Sequence, residues 1–276
     1  VSMRKKLYFV GVAIIIAFAG LMLSDSNAQY VCGDANDDGA LNVSDAVYII
    51  NYVFIGGPAP DPDCCEWNCP PIVTDYDGNY YFTAMLGNQC WMLQDLRVTH
   101  YRNGDPIPKV TDVDEWLDLS TGAYCEYNND PAIASIYGLL YNWYAVDDSR
   151  SIAPEGWHVA TDAEYKQLEM YLGMSAAEAN STGQRGTDEG GKLKEAGITH
   201  WLSPNIGANN ESGFSALPGG YRGMMFRVLD SNAIYWSSSE YNSSYAWSRT
   251  LYYDLAKTGR QGSGKGLGLT VRCVKD

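Results

Sequence analysis

The sequence is short of positive charge and of histidine. Lys and Arg total 19 against 33 Asp and Glu, which gives a formal net charge of −14 over 276 residues. This balance disfavours nucleic acid and anionic membrane surfaces as partners, because both carry negative charge themselves. It suits calcium, or neutral ligands such as glycans. The three histidines, His100, His158 and His200, are scattered along the chain, and we expect structural or surface roles for them.

Catalytic motifs are missing or incomplete. The chain has no G-x-S-x-G elbow. Residues 259–266 nearly spell a phosphate loop, but Gly266 stands where Ser or Thr is required, and the strand-like segment 267–273 follows where a helix is needed. Nothing selects a glycosidase pair among the 33 acidic residues. The sequence therefore favours a protein without catalytic residues, although a role in polysaccharide breakdown stays open.

Phenylalanine is scarce, with 6 residues against 21 Tyr and 8 Trp. Tyr and Trp carry a polar group on an apolar ring, so they serve in cores and also at ligand platforms. We expect core positions for Trp91, Trp143, Trp157 and Trp236, and exposure for Trp116 in its acidic Asp-Val-Asp-Glu-Trp stretch. The candidate platforms for stacking on a ligand are Trp116, Tyr124 and Tyr127 beside residues 128–130, and Trp201, Trp236 and Trp247.

The one long apolar run lies near the start of the sequence. Three basic residues at 4–6 precede the apolar stretch Leu7–Leu23, and Ser26 and Ala28 stand as the small residues of a cleavage site. We therefore predict a signal peptide over residues 1–28 and a secreted protein, extracellular or at the cell surface. The alternative is an uncleaved membrane anchor, because the run just reaches the length of a membrane span.

Seven cysteines would then meet an oxidising environment, where disulfides are the default. A zinc site is disfavoured because no second C-x-x-C pair and no histidine cluster accompanies them. The odd number leaves one thiol free or paired between chains. Connectivity cannot be deduced from spacing, and we take Cys32 with Cys64 or Cys65 as the working pair.

The strongest motif spans residues 33–45. Counted from Asp34, oxygen-bearing side chains fall at positions 1, 3, 5, 9 and 12, with Gly39 at the sharp turn in position 6. This spacing predicts a Ca²⁺ loop, whereas an Asx-rich surface turn would explain the composition but not the spacing. The predicted ligands are Asp34, Asn36, Asp38, the carbonyl of Ala40, Asn42 and Asp45.

An apolar helix over residues 43–55 is predicted after the loop, and Gly56 and Gly57 end it. The segment GDANDDGALNVSDAVYIINYVFIGG resembles one repeat of a type I dockerin, a calcium-dependent module that docks into cohesin domains. A full dockerin has two repeats and this chain has one, so one face of the helix lacks its usual cover. The resemblance implies a cohesin-like partner, or self-association, through Tyr48, Ile49, Tyr52 and Ile55.

We divide the chain into the signal peptide, this repeat at 29–57, a stiff Pro- and Cys-rich linker at 58–72, and a large domain at 73–276. The large domain resembles the Fibrobacter succinogenes major paralogous domain family in stretches such as VTDYDGNYY, GNQCWMLQDLRVTHYRNGDPIP, YWSSSEYNSSYAW and VRCVKD. Its segment GWHVATDAEY is also similar to formylglycine-generating enzymes. The resemblance implies an α+β, C-type lectin-like fold in secreted or surface proteins.

Two features of those relatives are missing. Formylglycine-generating enzymes use a pair of cysteines near the C-terminus, and this chain has only Cys273 there. The calcium–sugar signatures of C-type lectins are also missing, because residues 203–205 lack the carboxylate or amide before the proline. The resemblance therefore implies a fold and a secreted or surface location more than a reaction.

Local patterns in the large domain predict a few elements. Asp77-Gly78 and Gly87-Asn88 are hairpin turn signals. Residues 161–172 form the clearest helix, with a capping box of Thr161 and Glu164. Short strands are expected from Gly219 to Cys273.

Three functions fit the sequence. The first is a secreted, non-catalytic binding or display protein, calcium-stabilised, that contacts carbohydrate or protein at the cell surface. The second is a structural subunit of an extracellular filament or surface layer. The third is an accessory or enzymatic component of polysaccharide degradation, for which the dockerin resemblance is the only argument.

The calcium loop gives the first testable prediction. Loop carboxylates repel one another without the metal, so the ion contributes folding free energy. We expect Asp34→Ala combined with Asp38→Ala to abolish the calcium binding that isothermal titration detects in the full chain. Undiminished calcium binding in this double variant would refute the loop assignment.

Overall fold

The computed structural model describes residues 69–276, together with Ser44 and Val47. The chain divides into two compact units, Val1–Asn68 and Cys69–Asp276. Ser44 and Val47 are helical, in agreement with the predicted helix 43–55 at these two positions, and Val47 is half exposed. The predicted signal peptide, the calcium ligands and the working Cys32 pair lie outside the described residues.

The second unit mixes helices and sheets and contains more strand than helix. Its strands are β1 (Ile72–Thr74), β2 (Tyr80–Leu86), β3 (Gln89–Met92), β4 (Tyr124–Cys125), β5 (Leu140–Tyr141), β6 (Trp157–Val159), β7 (Gly183–Arg185), β8 (Tyr221–Arg222), β9 (Phe226–Arg227), β10 (Asn232–Asn242), β11 (Tyr245–Tyr252), β12 (Thr258–Gly264) and β13 (Cys273–Lys275). One sheet has the order β1-β2-β3-β13-β6 and a second has β10-β11-β12-β7, while β4 pairs with β5 and β8 with β9.

The helices of this unit are short. They are α1 (Val113–Leu117), α2 (Pro131–Tyr137), α3 (Trp143–Val146), α4 (Asp162–Tyr171), α5 (Ala176–Asn180) and α6 (Glu189–Leu193), with a 3₁₀ turn at Tyr127–Asn129. Within the described residues, none of the helices has the length and apolar character needed to cross a membrane.

Both predicted hairpin turns are confirmed. β1 and β2 pair antiparallel across the first turn, where Asp75 Oδ1 accepts hydrogen bonds from the backbone N–H groups of Asp77 (3.0 Å) and Asn79 (2.9 Å). β2 and β3 are joined by a two-residue turn between the paired residues Leu86 and Gln89. Gly87 has φ +64° there, at the position where a type II′ turn requires glycine.

The predicted helix 161–172 is confirmed as α4, together with its capping box. The Thr161 hydroxyl accepts from the Glu164 backbone N–H, and the Glu164 carboxylate accepts in return from the Thr161 backbone N–H at 2.7 Å. Two orphan donors of the first turn are thereby satisfied. The buried side chains of Tyr165 and Leu168 anchor this helix in the core.

Indole rings fill much of the core, as expected from the scarcity of phenylalanine. Trp91, Trp143, Trp157 and Trp236 are all buried, which confirms the four core assignments. The indole N–H of Trp143 donates to the Ser237 carbonyl at 2.9 Å, and that of Trp236 to the Tyr141 carbonyl at 2.8 Å. A buried indole is therefore not left with an unsatisfied donor.

The expected exposure of Trp116 is wrong, because its side chain is 1% exposed. Neighbours along a helix point in directions about 100° apart, so acidic residues beside Trp116 in α1 do not bring it to the surface. Its indole N–H donates to the Gly266 carbonyl at 2.9 Å, and the Arg222 guanidinium lies over the ring at 4.3 Å.

The pairing of the cysteines differs from the sequence prediction. Cys69 and Cys90 form a disulfide, so the second unit starts inside the predicted linker 58–72. Cys125 and Cys273 are both buried and unpaired in the described part of the chain, whereas the odd count of cysteines predicts one thiol that is free or paired between chains. Burial raises the pKa of Cys125 to about 11 and raises that of Cys273 further, so both thiols stay protonated and inert.

A buried network of carboxylates and guanidinium groups clamps α4 to the second sheet. Asp162 accepts two bonds from Arg260, each 2.8 Å, and Arg249 lies 3.0 Å from the same carboxylate. Glu169, two turns along the same helix, accepts from Arg249 at 2.9 Å and from Arg185. Burial alone would raise the pKa of Asp162, but Arg260 and Arg249 lower it to about 2, so the carboxylate stays charged.

This clamp gives the second prediction. Glu169→Ala removes the carboxylate partner of the buried Arg185 and leaves the buried Arg249 with Asp162 alone, which costs about 3–5 kcal/mol in the free energy of unfolding. Urea unfolding of the purified protein measures the change. The control is Glu155→Ala, which removes an exposed carboxylate and should change the free energy by less than about 0.5 kcal/mol. Similar unfolding midpoints for the two variants would contradict the clamp.

Candidate binding cleft

A cleft of about 430 Å³ opens between the β2–β3 turn and the C-terminal half of α4. Its walls are residues 86–89 on one side and Gln167, Met170 and Tyr171 on the other. We call it the Gln89 cleft. The volume lies within the range of roughly 300–1,000 Å³ that small-molecule sites occupy in proteins.

Gln89 lines this cleft and is held in place by a core residue. The indole N–H of Trp91 lies 3.2 Å from Gln89 Oε1. An indole nitrogen can only donate, so the amide oxygen must face Trp91, and the amide nitrogen must lie on the other side. Trp91 also packs on Tyr165 of α4, with ring centroids 5.1 Å apart. One buried ring thus positions both walls of the cleft.

The amide nitrogen of Gln89 is the unusual group of the site. Its side chain is 9% exposed, and no residue in the described part of the chain accepts a hydrogen bond from Nε2. Leaving a buried donor without an acceptor costs about 1–3 kcal/mol. The nitrogen is itself shielded from solvent, so the exposed amides of the cleft, those of Asn88 and Gln167, are the ones that a ligand contacts.

Tyr171 provides an aromatic wall that reaches solvent. It is 60% exposed, and its ring lies directly against Gly87, where an added Cβ would come within 3.0 Å of the ring. Two features therefore require glycine at position 87, namely its positive φ and the close approach of the Tyr171 ring. The ring is supported from the turn side and remains available to a ligand.

The cleft is electrically neutral. Its polar groups are the side-chain amides of Asn88, Gln89 and Gln167 and the Tyr171 hydroxyl, and no charged side chain is among the lining residues, all of which lie within 69–276. Amides and a phenol both donate and accept hydrogen bonds. The arrangement is suited to binding an uncharged ligand.

The aromatic platform expected at Trp116, Tyr124 and Tyr127 is not formed. All three side chains are buried. Tyr127 packs on Phe226, with ring centroids 5.1 Å apart, so its face is covered by the protein itself. Of the second group, Trp201 and Trp236 are buried, and only Trp247 is half exposed.

The histidines serve as partners of carboxylates. His158 lies 2.7 Å from Glu164 and 2.6 Å from Asp276, and these hydrogen bonds outweigh partial burial and raise its pKa to about 9. His200 contacts Glu195 at 2.9 Å. His100 uses the same ring nitrogen, Nδ1, for both of its hydrogen bonds, whereas a proton relay needs both nitrogens.

The segment that resembles a phosphate loop is strand β12, which pairs with β11. Lys265, which follows it, forms an ion pair with Glu240 and lies over the Trp143 ring at 4.4 Å. Within residues 69–276, Ser44 and Val47, no group of three or more His, Cys, Asp or Glu side chains could hold a metal ion. The predicted calcium ligands 34–45 and the helix residues Tyr48, Ile49, Tyr52 and Ile55 lie outside the described residues.

Sequence reasoning missed Gln89 and Tyr171. Both are visible only as ordinary residues, Gln89 beside a turn signal and Tyr171 on the polar side of an amphipathic helix. Their proximity depends on the packing of α4 against the β2–β3 hairpin, which joins residues far apart in the chain. Tyr171 alone carries a weak sequence signal, because a tyrosine is exposed on a polar helix surface less often than a lysine is.

Comparison with curated proteins and with solved structures gave no match. The family model of the Fibrobacter succinogenes major domain matches residues 85–275, which is more than half of the chain. The matched region includes β3, α4 and every residue that lines the cleft. The chain therefore belongs to the Fibrobacter succinogenes major domain family.

Proposed function

We propose that this chain is a secreted, non-catalytic binding protein of the cell surface and that the Gln89 cleft binds uncharged carbohydrate. The observation that carries the proposal is the neutral lining of a ligand-sized cleft that combines an exposed ring with the exposed side-chain amides of Asn88 and Gln167. Aromatic faces stack on the apolar faces of sugar rings. Amides provide both donors and acceptors, which is the combination that sugar hydroxyl groups need.

The overall charge supports this ligand class. A formal net charge of −14 repels acidic polymers. The cleft itself has no basic side chain among its described lining residues that could bind a carboxylate or sulfate. Neutral glycans meet neither obstacle, so we favour them over acidic ones.

The proposal includes two finer assignments. The first is the C-type lectin-like fold; the segment GWHVATDAEY, on which that resemblance rests, forms a strand followed by a capped helix, β6 and α4. The second is the calcium-bound, dockerin-like repeat at 29–57, which rests on the spacing of Asp34 to Asp45. This repeat would attach the protein to a cohesin-like partner or to a second copy of the chain, while the large unit contacts the glycan.

The third prediction tests carbohydrate binding. We expect the full chain to bind neutral oligosaccharides on a glycan array and Tyr171→Ala to weaken that binding roughly tenfold, because a ring-stacking contact is lost. Tyr80→Ala is the matched control, since Tyr80 is 58% exposed and does not line the cleft. Titration calorimetry with the best array ligand gives the affinities.

Two outcomes would contradict the proposal. Binding of acidic glycans alone would show that neutrality of the cleft does not select the ligand. An equal loss of affinity in Tyr171→Ala and Tyr80→Ala would show that the glycan does not occupy this cleft.

A further inference from the structure

The outer end of the β10–β11 hairpin carries three aromatic side chains on one face. Trp247 and Tyr245 lie two residues apart in β11, whose pairing with β12 is regular from Tyr245 to Leu251, so both side chains point to the same face of the sheet. Tyr241 of β10 joins them, because its ring centroid lies 4.5 Å from that of Trp247. Tyr241 is 51% exposed, Tyr245 is 46% exposed and Trp247 is partly exposed. We call these three side chains the ribbon platform.

Irregular pairing in β10 directs Tyr241 to this face. The register with β11 shifts on both sides of Glu240, and such bulges change the direction in which a side chain points. The Tyr241 ring lies against Gly262, the cross-strand partner of Trp247, where an added Cβ would come within 2.7 Å of the ring. Glycine at position 262 is therefore explained by the ring that covers it.

Two sets of contacts hold the platform in place. The Arg260 guanidinium lies over the Trp247 ring at 3.5 Å and donates two hydrogen bonds, each 2.8 Å, to Asp162. At the hairpin turn, Asn242 Oδ1 accepts a hydrogen bond from the backbone N–H of Tyr245 at 3.0 Å. A surface that is ordered before a ligand arrives loses less conformational entropy on binding.

Gly264 is the second glycine of this face, and contacts within the protein do not explain it. It pairs with Tyr245, its φ is not positive, and an added Cβ would meet no atom within 4 Å. A glycine in a strand costs stability and often marks a place where a ligand approaches the backbone closely. The open notch above Gly264 is therefore a sign of binding that is independent of the exposed rings.

The chemistry of the platform favours a neutral ligand. The charged side chains that border it are paired, Arg260 with Asp162 and Lys265 with Glu240. A basic protein partner would have to break these pairs, whereas a neutral sugar chain leaves them intact. The turn residues 242–244 add an exposed amide and two exposed hydroxyls. Rings beside such groups suit the C–H faces and the hydroxyls of sugars.

We propose that the ribbon platform is a second carbohydrate site, which stacks on an extended chain of a neutral polysaccharide where that chain passes over the notch at Gly264. The platform shares no residue with the lining of the Gln89 cleft. The inference goes beyond the proposed function, because each site binds carbohydrate without the other.

The fourth prediction concerns the depletion of the full chain from solution by insoluble cellulose, mannan and granular starch, three neutral polysaccharides. We expect at least one of them to bind the wild-type protein. Tyr241→Ala combined with Tyr245→Ala should weaken that binding at least roughly tenfold, because two stacking contacts are lost. Tyr80→Ala, which removes an exposed ring of β2, is the control and should leave binding unchanged. Urea unfolding verifies that the variants are folded.

Gly264→Thr tests the notch without removing a ring. Threonine suits a strand, and its Cβ meets no atom within 4 Å at this position, so we expect the free energy of unfolding not to fall. The new side chain occupies the space over which the polysaccharide passes, so binding should weaken at least roughly tenfold. A purely structural role for this glycine predicts the reverse, a less stable protein with unchanged binding.

The outcomes separate this inference from the proposed function. Depletion that the double variant or Gly264→Thr leaves unchanged would overturn the inference, and so would the absence of depletion by all three polysaccharides. The Gln89 cleft is tested separately by Tyr171→Ala with soluble oligosaccharides. A wild-type dimer that the double variant converts to a monomer on size-exclusion chromatography would assign the platform to a second copy of the chain, against the inference.

Discussion

The rest of the candidate site depends on the buried clamp that holds α4 to the second sheet. Asp162 and Glu169 lie two turns apart on one side of this helix and are held by three buried arginines of the sheet. A hydrophobic contact alone would allow the helix to slide or rotate. Paired guanidinium and carboxylate groups fix both position and rotation, because the geometry of their hydrogen bonds is specific. The clamp thereby determines where Tyr171 stands relative to the β2–β3 turn.

Trp91 connects α4 to Gln89, one of the residues that line the cleft. Its ring contacts α4 through Tyr165, and its indole N–H fixes the orientation of Gln89. Tryptophan side chains fill core positions in this unit, where phenylalanine is scarce. The N–H group of each buried indole needs a hydrogen-bond acceptor. At Trp143 and Trp236 that acceptor is a backbone carbonyl. At Trp91 it is the side-chain amide of Gln89, a residue that lines the cleft.

The local elements could be predicted from the sequence, whereas the site could not. The Thr161–Glu164 capping box and the Gly87 turn depend on neighbouring residues, and the structure confirms both. The acidic neighbours of Trp116 predict exposure, but helical geometry turns its ring inward beneath Arg222. The Gln89 cleft depends on distant residues that meet only after folding. No local pattern indicates which amide will lose one of its partners.

The most direct test of this account is an NMR titration that follows the side-chain amides of the cleft as a neutral oligosaccharide is added. The exposed Gln167 signal is assigned by its loss in Gln167→Ala. The account predicts that the ¹H and ¹⁵N shifts of the Asn88 and Gln167 amides change most among the side-chain amides and saturate together with binding. Unchanged signals of both amides at saturating ligand, with shifts elsewhere in the chain, would contradict it.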